Sequence, residues 1–169
     1  LHIPLQSGSE KVLKDMSRPY DKADFLTKLA KIRAVRPDIA ITTDVIVGYP
    51  TETEEEFEKT LDFAQKANFA EIHVFPFSSR PNTKAATLRD LSPSIKKDRV
   101  HRLLSLSKKL RLGYEERFYG KEVEVLVETC DDGYCFGHTG NYLYLRFAGD
   151  GNMVHKMVKV IYSPSTSSD

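Results

Sequence analysis

The chain has 169 residues, enough for one ordinary domain or for part of one with a small second domain. Its composition, 40% hydrophobic and 29% charged, is typical of a globular protein, and no apolar run reaches the roughly 20 residues of a membrane span. We therefore exclude a membrane protein and expect a cytoplasmic one. The two cysteines, Cys130 and Cys135, give no disulfide framework, and we interpret them as ordinary small side chains.

The chain begins at Leu1, within an apolar segment that reads as a strand. Natural domains rarely begin in this way, so we expect a piece of a longer protein. The net charge of +1 is unevenly distributed: residues 80–118 carry 11 basic and 4 acidic side chains, whereas both flanking segments are acidic. This basic stretch is either a solvated helix face or a contact surface for a polyanion.

The first half of the chain alternates strands and helices. Apolar runs predict strands at 2–5, 39–48 and 70–77. Capping patterns predict the starts of the intervening helices, at Ser7 with Glu10, at Asp21, and at Thr51 with Glu54. This alternation favours a parallel α/β fold, and three strands alone leave an open edge, as in half of a barrel. The exposed strand edges indicate self-association.

The second half changes character. Ser92-Pro93 predicts the start of a long helix that ends before Gly120. From Lys121 the apolar residues alternate with period two and turns follow at short intervals, which predicts a small antiparallel β-barrel. We therefore divide the chain into an α/β part at 1–90, a linking helix at 91–119, a β-domain at 120–163 and a disordered tail at 164–169.

Polar side chains cluster at the predicted strand ends, where parallel sheets place their ligands. Gln6, Ser7 and Arg18 follow the first strand, Asp44 lies inside the second, and Gly48 closes it. An amide, a guanidinium and a carboxylate would suit a zwitterionic ligand that carries a ribose. The alternative is an internal Arg18–Asp44 ion pair with Gln6 as a loop cap. His2 and His73 lie in or beside strands, and we interpret them as packed core residues rather than ligands.

Three motifs resemble the methylthiotransferase branch of the radical S-adenosylmethionine enzymes. They are LHIPLQSGS at 1–9 with a following Met16-Ser17-Arg18, TTDVIVGYPTET at 42–53, and FPFSSRPNTKAA at 75–86. The sequence departs from the family at Thr51 and Asn82, where glycine is usual, and at Phe77, where tyrosine is usual. The departures affect loop geometry rather than the resemblance itself.

The resemblance implies the carboxy-terminal half of a parallel (β/α) radical S-adenosylmethionine barrel. It also implies that the cofactor lies near Gln6, Ser7 and Arg18, with Arg18 on the methionyl carboxylate. On the second strand it implies contacts from Asp44 to the ribose and from Val45, Ile46 and Gly48 beside the adenine. Arg80 would lie on the rim of the active site.

The terminal domain resembles the TRAM domain, a small RNA-binding β-barrel, in the run from Gly137 to Tyr142. The resemblance implies contacts to the tRNA anticodon stem-loop. Asn141, Tyr142 and Arg146 are the candidate contacts, with Tyr142 or Tyr144 stacking on a base. The alternative is that these tyrosines belong to the barrel core.

The family's cysteine triplet, Cys-x3-Cys-x2-Cys, is absent from this chain. The resemblance implies two [4Fe-4S] clusters in the full-length protein, with ligands outside this chain, so the chain alone should not catalyse. Residues 71–78 and 98–103 look most like the branch that methylthiolates threonylcarbamoyladenosine in tRNA. The alternatives are isopentenyladenosine or a ribosomal-protein aspartate as substrate, a stand-alone RNA-binding module, and a different enzyme on a complete barrel.

Overall fold

The computed structural model describes residues 1–18 and 21–166. The chain divides into two compact units between Arg111 and Leu112, and each is described by itself. The division falls inside the long helix rather than at either end of it. In the two described ranges no helix is both long and apolar enough to cross a bilayer.

The described residues of the first unit form two parallel strands, four α-helices and a short 3-10 helix at Lys84–Thr87, and the last α-helix continues past Arg111. The elements are α1 (Glu10–Asp15), α2 (Lys22–Val35), β1 (Thr42–Val47), α3 (Glu54–Ala67), β2 (Glu71–Pro76) and α4 (Pro93–Glu116). The strands pair in parallel, as predicted. The predicted strand at 2–5 is a different element: Pro4 interrupts it, and the segment joins β1 through isolated bridges at His2 and Gln6 rather than a continuous ladder.

The helix starts follow local capping chemistry, with two corrections to the predicted caps. Asp21 caps α2 as predicted, since its side chain accepts from Ala23 N. The cap of α1 is Ser9 rather than Ser7, and the cap of α3 is Thr53 rather than Thr51. In both cases the residue nearest the first turn takes the role, because its side chain reaches a free N–H of that turn.

The core of the first unit lies on one face of the two strands. Alternation along β1 turns Val45 and Val47 inward, and Ile72 of β2 joins them. They pack against apolar side chains of the helices, among them Phe25, Leu29, Phe57, Phe63 and Leu103. The opposite face, which carries Asp44 and Ile46 of β1 and His73 and Phe75 of β2, stays half-buried or exposed. The sheet is therefore covered on one face only.

The second unit contains the end of α4 and an antiparallel sheet. Its strands are β3 (Glu122–Asp131), β4 (Tyr134–Thr139), β5 (Tyr144–Ala148) and β6 (Met157–Ile161), in the order β5-β4-β3-β6. Val125, Val127 and Leu145 alternate into its core. Gly137 of β4 has no space for a side chain, since a Cβ there would lie 2.0 Å from the carbonyl oxygen of Leu126.

One expectation about the second unit is wrong. Cys130 and Cys135 are not independent small side chains: they face each other across β3 and β4 and form a disulfide. The disordered tail at 164–169 stays a prediction; residues 164–166 lie in a turn, in which the Thr166 carbonyl accepts a hydrogen bond from Arg146 N. The remainder of the predicted tail, 167–169, lies outside the described residues.

Candidate functional site

A cleft of about 660 Å³ opens where β1 and β2 end in the first unit. Four of the predicted site residues line it: Gln6, Arg18, Ile46 and Arg80. Its other walls include Tyr49, Phe75, Phe77 and Lys84, so aromatic and aliphatic surface faces two guanidinium groups. A concave apolar surface with a few convergent polar groups is the usual form of a small-molecule site.

Gln6 is fixed at the cleft by its main chain. It adopts a φ of 71°, in the left-handed region that non-glycine residues seldom use. Its N–H donates to Asp44 O and its carbonyl accepts from Ile46 N, each at 2.8 Å. Two hydrogen bonds to β1 therefore stabilise this strained conformation and fix Gln6 at the cleft wall.

The loop that follows Gln6 is anchored to α3 rather than open to the cleft. Ser7 is fully buried, with its hydroxyl 3.3 Å from that of Thr60. Ser9 donates to the Glu56 carboxylate while it accepts from Val12 N. The hydrogen bond from Ser9, with a second from Lys59, lowers the pKa of Glu56. Ser7 thus supports the loop and does not line the cleft.

Arg18 reaches the cleft through the C-terminal cap of α1. Ser17 takes the left-handed conformation, with a φ of 57°, directly after the helix. Ser17 N donates to Lys14 O, and Arg18 N donates to Leu13 O at 2.7 Å. This pair of bonds is the Schellman arrangement, which reverses the chain at a helix end. The reversal brings Arg18 back over the end of β1.

The remaining predicted residues of β1 do not line the cleft. Val45 is fully buried in the core. Gly48 has a φ of 77°, and a Cβ there would meet the Lys96 side chain at 2.6 Å. The surface beside Gly48 is therefore occupied by Lys96 of α4. Tyr49 extends the cleft wall instead: its hydroxyl donates to Asp15 O, its ring meets Phe77 edge-on, and burial raises its pKa.

Asp44 is also absent from the cleft wall. Its two carboxylate oxygens each lie 3.2 Å from a ring nitrogen, one of His2 and one of His73. The suggested Arg18–Asp44 ion pair is thus replaced, in the described part of the chain, by contacts with two histidines. Both histidines are exposed, so their expected place in the core is wrong.

A buried ion pair behind the cleft was not predicted from the sequence. Glu52 Oε1 accepts from Gly48 N at 2.8 Å and from Arg99 Nη1 at 2.7 Å, and both charged side chains are inaccessible to solvent or nearly so. Burial raises the pKa of Glu52, against the opposing effects of Gly48 N–H and Arg99. The pair fixes the turn after β1 to α4. No local signal marks it, because its partners are 47 positions apart.

In the second unit the candidate RNA-contacting residues lie at the surface. Tyr142 is 64% exposed and has a φ of 65°. It lines a second pocket, of about 560 Å³, together with His138 and Met157. Tyr144 is half-buried against the His138 ring, 4.6 Å between centroids, and Arg146 lies over the Tyr134 ring. The structure thus separates an exposed Tyr142 from a more enclosed Tyr144.

The residues present do not fit an iron–sulfur cluster. Such a cluster takes thiolate ligands, and the chain has two cysteines, which form a disulfide with each other. The cleft, in contrast, offers a guanidinium, an amide and an apolar wall that fit an amino-acid nucleoside.

Comparison with known proteins identifies the class. Residues 1–64 match the model of the radical SAM superfamily, which takes in Gln6, Arg18 and β1. A solved structure of coproporphyrinogen III oxidase from Escherichia coli, titled a radical SAM enzyme, superposes on 89% of this chain and 41% of its own with a TM-score of 0.56. At 17% identity this likeness shows the fold alone: the chain has a radical SAM fold.

Curated relatives give the narrower assignment. The threonylcarbamoyladenosine tRNA methylthiotransferase MtaB of Bacillus subtilis is 42% identical over 166 residues, which is 95% of this chain and 37% of the relative. A tRNA-2-methylthio-N(6)-dimethylallyladenosine synthase of Aquifex aeolicus is 42% identical over 161 residues, with the same coverage of each chain. The chain belongs to the radical SAM methylthiotransferase family, and it spans just over a third of the length of these relatives.

Proposed function

We propose that this chain is the carboxy-terminal part of a cytoplasmic tRNA methylthiotransferase that adds a methylthio group to N6-threonylcarbamoyladenosine next to the anticodon. The observation that carries the proposal is the cleft, in which Gln6, Arg18, Ile46 and Arg80 converge from separate segments of the chain. A relative 42% identical over nearly the whole chain bears the name of this activity.

We assign the cleft to S-adenosylmethionine. Arg18 can grip the methionyl carboxylate through two parallel N–H donors, the strongest form of such a contact. Ile46 and Phe75, neighbours in the register of β1 and β2, offer an apolar surface to the adenine. Gln6 supplies an amide beside them, and Arg80 faces the approaching nucleotide. Ser7, Val45 and Gly48 act as supports of this cleft, and Asp44 is not among its direct contacts.

The full-length protein needs cofactors that this chain does not hold. S-adenosylmethionine, together with an iron–sulfur cluster, supplies the hydrogen-abstracting chemistry and the methyl group of this reaction class. We place the ligands of two [4Fe-4S] clusters outside this chain, since its two cysteines are joined to each other. The chain alone is therefore expected to bind but not to catalyse.

The β-sheet of the second unit is proposed to be a TRAM domain that contacts the tRNA anticodon stem-loop. Tyr142 offers an exposed ring for stacking, and Asn141 and the exposed Arg146 lie nearby in the sequence. The basic stretch at 80–118 would add attraction for phosphates. The net acidic composition of 120–169 favours a specific contact over non-specific RNA binding.

Cofactor binding is tested by equilibrium dialysis of S-adenosylmethionine against the chain and two matched variants. Arg18→Ala removes a charge-assisted contact of about 1.5–3 kcal/mol, or roughly a tenfold to hundredfold loss of affinity. Arg36→Ala removes an equally charged side chain at the exposed end of α2 and should leave affinity unchanged. If the two substitutions changed the affinity equally, Arg18 would not be a contact of S-adenosylmethionine.

The substrate is tested by mass spectrometry of tRNA nucleosides from cells with and without the gene. Loss of the methylthio group from threonylcarbamoyladenosine is the expected result. The second candidate substrate is dimethylallyladenosine, because the name of a relative equally identical to this chain specifies it. Loss of the methylthio group from that nucleoside would support the proposed reaction but assign dimethylallyladenosine as the substrate. Unchanged tRNA would contradict both.

A further inference from the structure

Three side chains meet on the uncovered face of the first unit, away from the walls of the cleft. The extended segment before β1 brings His2, β1 brings Asp44, and β2 brings His73. One ring nitrogen of each histidine lies 3.2 Å from an Asp44 oxygen, and one ligand atom from each residue lies within 4.8 Å of the other two. The two imidazole rings stack 5.7 Å apart, and His2 presents Nε2 to Asp44 whereas His73 presents Nδ1.

The far nitrogen of each histidine has its own partner. His2 Nδ1 lies 2.9 Å from Thr42 Oγ1, and His73 Nε2 lies 3.5 Å from Glu71 Oε1. A hydrogen bond thus orients the His2 ring and a nearby carboxylate faces the His73 ring, while the other nitrogen of each ring faces the centre of the cluster. Metal-binding histidines have this arrangement, in which an outer carboxylate or hydroxyl fixes the tautomer and the ring orientation.

A cation at the centre fits the surroundings of His73. His73 lies between two carboxylates, those of Asp44 and Glu71. A neutral imidazole has a single N–H and can donate to one of them, which leaves a lone pair facing the other. A cation between His73 and Asp44 removes this conflict, because the remaining N–H can then donate to Glu71. The side chains of His2, Asp44 and His73 are 41%, 28% and 45% exposed, so an ion from solvent can reach them.

We propose that His2, Asp44 and His73 bind one divalent transition-metal ion, with Zn²⁺ as the reference occupant. Metal–ligand bonds of about 2.0–2.2 Å place neighbouring ligand atoms roughly 3.0–3.5 Å apart. Each histidine already lies 3.2 Å from one Asp44 oxygen, and because the three ligand atoms lie within 4.8 Å of one another, a small side-chain rotation brings them around one ion. Two imidazoles and one carboxylate leave coordination positions open to water or a further ligand. The site uses none of the cleft residues and none of the cysteines.

The proposal is tested on the untagged whole chain by titration with Zn²⁺ in a calorimeter and with Co²⁺ in a spectrophotometer. We expect saturable binding of one ion and a visible Co²⁺ absorption band of nitrogen–oxygen coordination. Asp44→Asn and His73→Gln should abolish both signals. Glu71→Gln, which changes only the outer partner, should weaken binding roughly 10- to 100-fold. The matched control is His101→Gln, on the exposed side of α4, which should bind as the parent does.

Two further affinity measurements distinguish the metal site from the proposed S-adenosylmethionine site. Arg18→Ala should keep full Zn²⁺ affinity, and Asp44→Asn should keep its affinity for S-adenosylmethionine. Circular dichroism of each variant verifies that the fold is retained. The metal site is refuted if the parent shows no saturable binding, or if Asp44→Asn binds as the parent does. It is equally refuted if His101→Gln loses as much affinity as His73→Gln, since the ion would then sit on scattered surface histidines.

Discussion

The buried pair of Glu52 and Arg99 gives the sharpest test of how the first unit is held together. Arg99 is 4% exposed and Glu52 is fully buried, so Arg99→Met leaves a carboxylate without its cation in a site closed to water. Removal of one partner of such a pair costs about 3–5 kcal/mol. We expect the free energy of unfolding of the first unit to fall by that amount.

The same helix provides a matched control. Arg102 also lies over the Phe57 ring, at 4.8 Å from its centroid against 5.4 Å for Arg99. Its side chain is 34% exposed and pairs with Glu54 and Glu58 at the surface. Arg102→Met therefore loses a similar ring contact but only surface pairs, at about 0–1 kcal/mol. The difference between the two variants isolates the effect of the buried charge.

The assay is native-state amide exchange of the whole chain, read at the β1 amides, which open only when the first unit unfolds. Arg99→Met should exchange roughly 10²- to 10³-fold faster than Arg102→Met, at about 1.4 kcal/mol for each factor of ten. The double variant Glu52→Gln/Arg99→Met should recover most of the loss, since it leaves no unpaired charge. The reasoning fails if the two arginine variants exchange alike, or if the double variant is no better than Arg99→Met.

The pH dependence of the same variant has a defined sign. Burial already raises the pKa of Glu52 above its ordinary value of 4.5, and loss of Arg99 removes an influence that lowers it. A carboxyl group with a raised pKa in the folded state adds stability that is complete below the ordinary pKa and is lost as pH rises through the folded pKa. The gap between Arg99→Met and Arg102→Met should therefore widen as pH rises from 4.5 towards neutrality.

Three further outcomes are expected. The hydrogen bonds from Ser9 and Lys59 lower the pKa of Glu56. Its ionised carboxylate therefore stabilises the fold above pH 4.5, and this stability is lost as pH falls through the folded pKa. Glu56→Gln should reduce the loss of unfolding free energy at acid pH, measured by urea titration. Reduction of the disulfide, which closes a loop with a sequence separation of 5, should cost about 2 kcal/mol in the second unit; a Cys130→Ser/Cys135→Ser variant should show no response to reductant. Tyr142→Ala should weaken binding of an anticodon stem-loop by about 1–3 kcal/mol at fixed salt. Lys159→Ala is the control, and a Tyr142→Ala variant that binds no more weakly than this control would contradict the stacking role.

Local chemistry in the sequence was enough to predict most of the elements. Asp21 caps α2 as predicted, because a cap depends on neighbours a few positions away. The strand β1 was predicted from its apolar, β-branched residues, but its burial on one face only was not. The cap at Ser9 was missed since three serine and glycine positions in a row offer similar signals. The interruption of the predicted strand by Pro4 was also missed. A short apolar run does not reveal which of its N–H groups must donate to the neighbouring strand.

The features that were missed depend on register and on distant partners. Parallel pairing sets Asp44 of β1 beside His73 of β2, two residues 29 positions apart whose pairing no local pattern reveals. The sequence suggested Arg18 as the partner of Asp44, since opposite charges at strand ends are the simplest match. The left-handed backbone of Asn82, where the family usually has glycine, is in contrast consistent with the motif, because asparagine tolerates a positive φ better than most residues.

The uncovered face of the first unit has a further consequence for how copies of the chain meet. Along β1 and β2 this face is polar near the strand starts, at Thr42, Asp44, Glu71 and His73, and turns apolar only at Ile46 and Phe75. Stacking of two such faces would force carboxylates out of water opposite one another, which is costly. Free main-chain groups at a strand edge carry no such penalty. If copies of the chain associate, we therefore expect them to do so edge to edge, by extension of the sheet, rather than face to face.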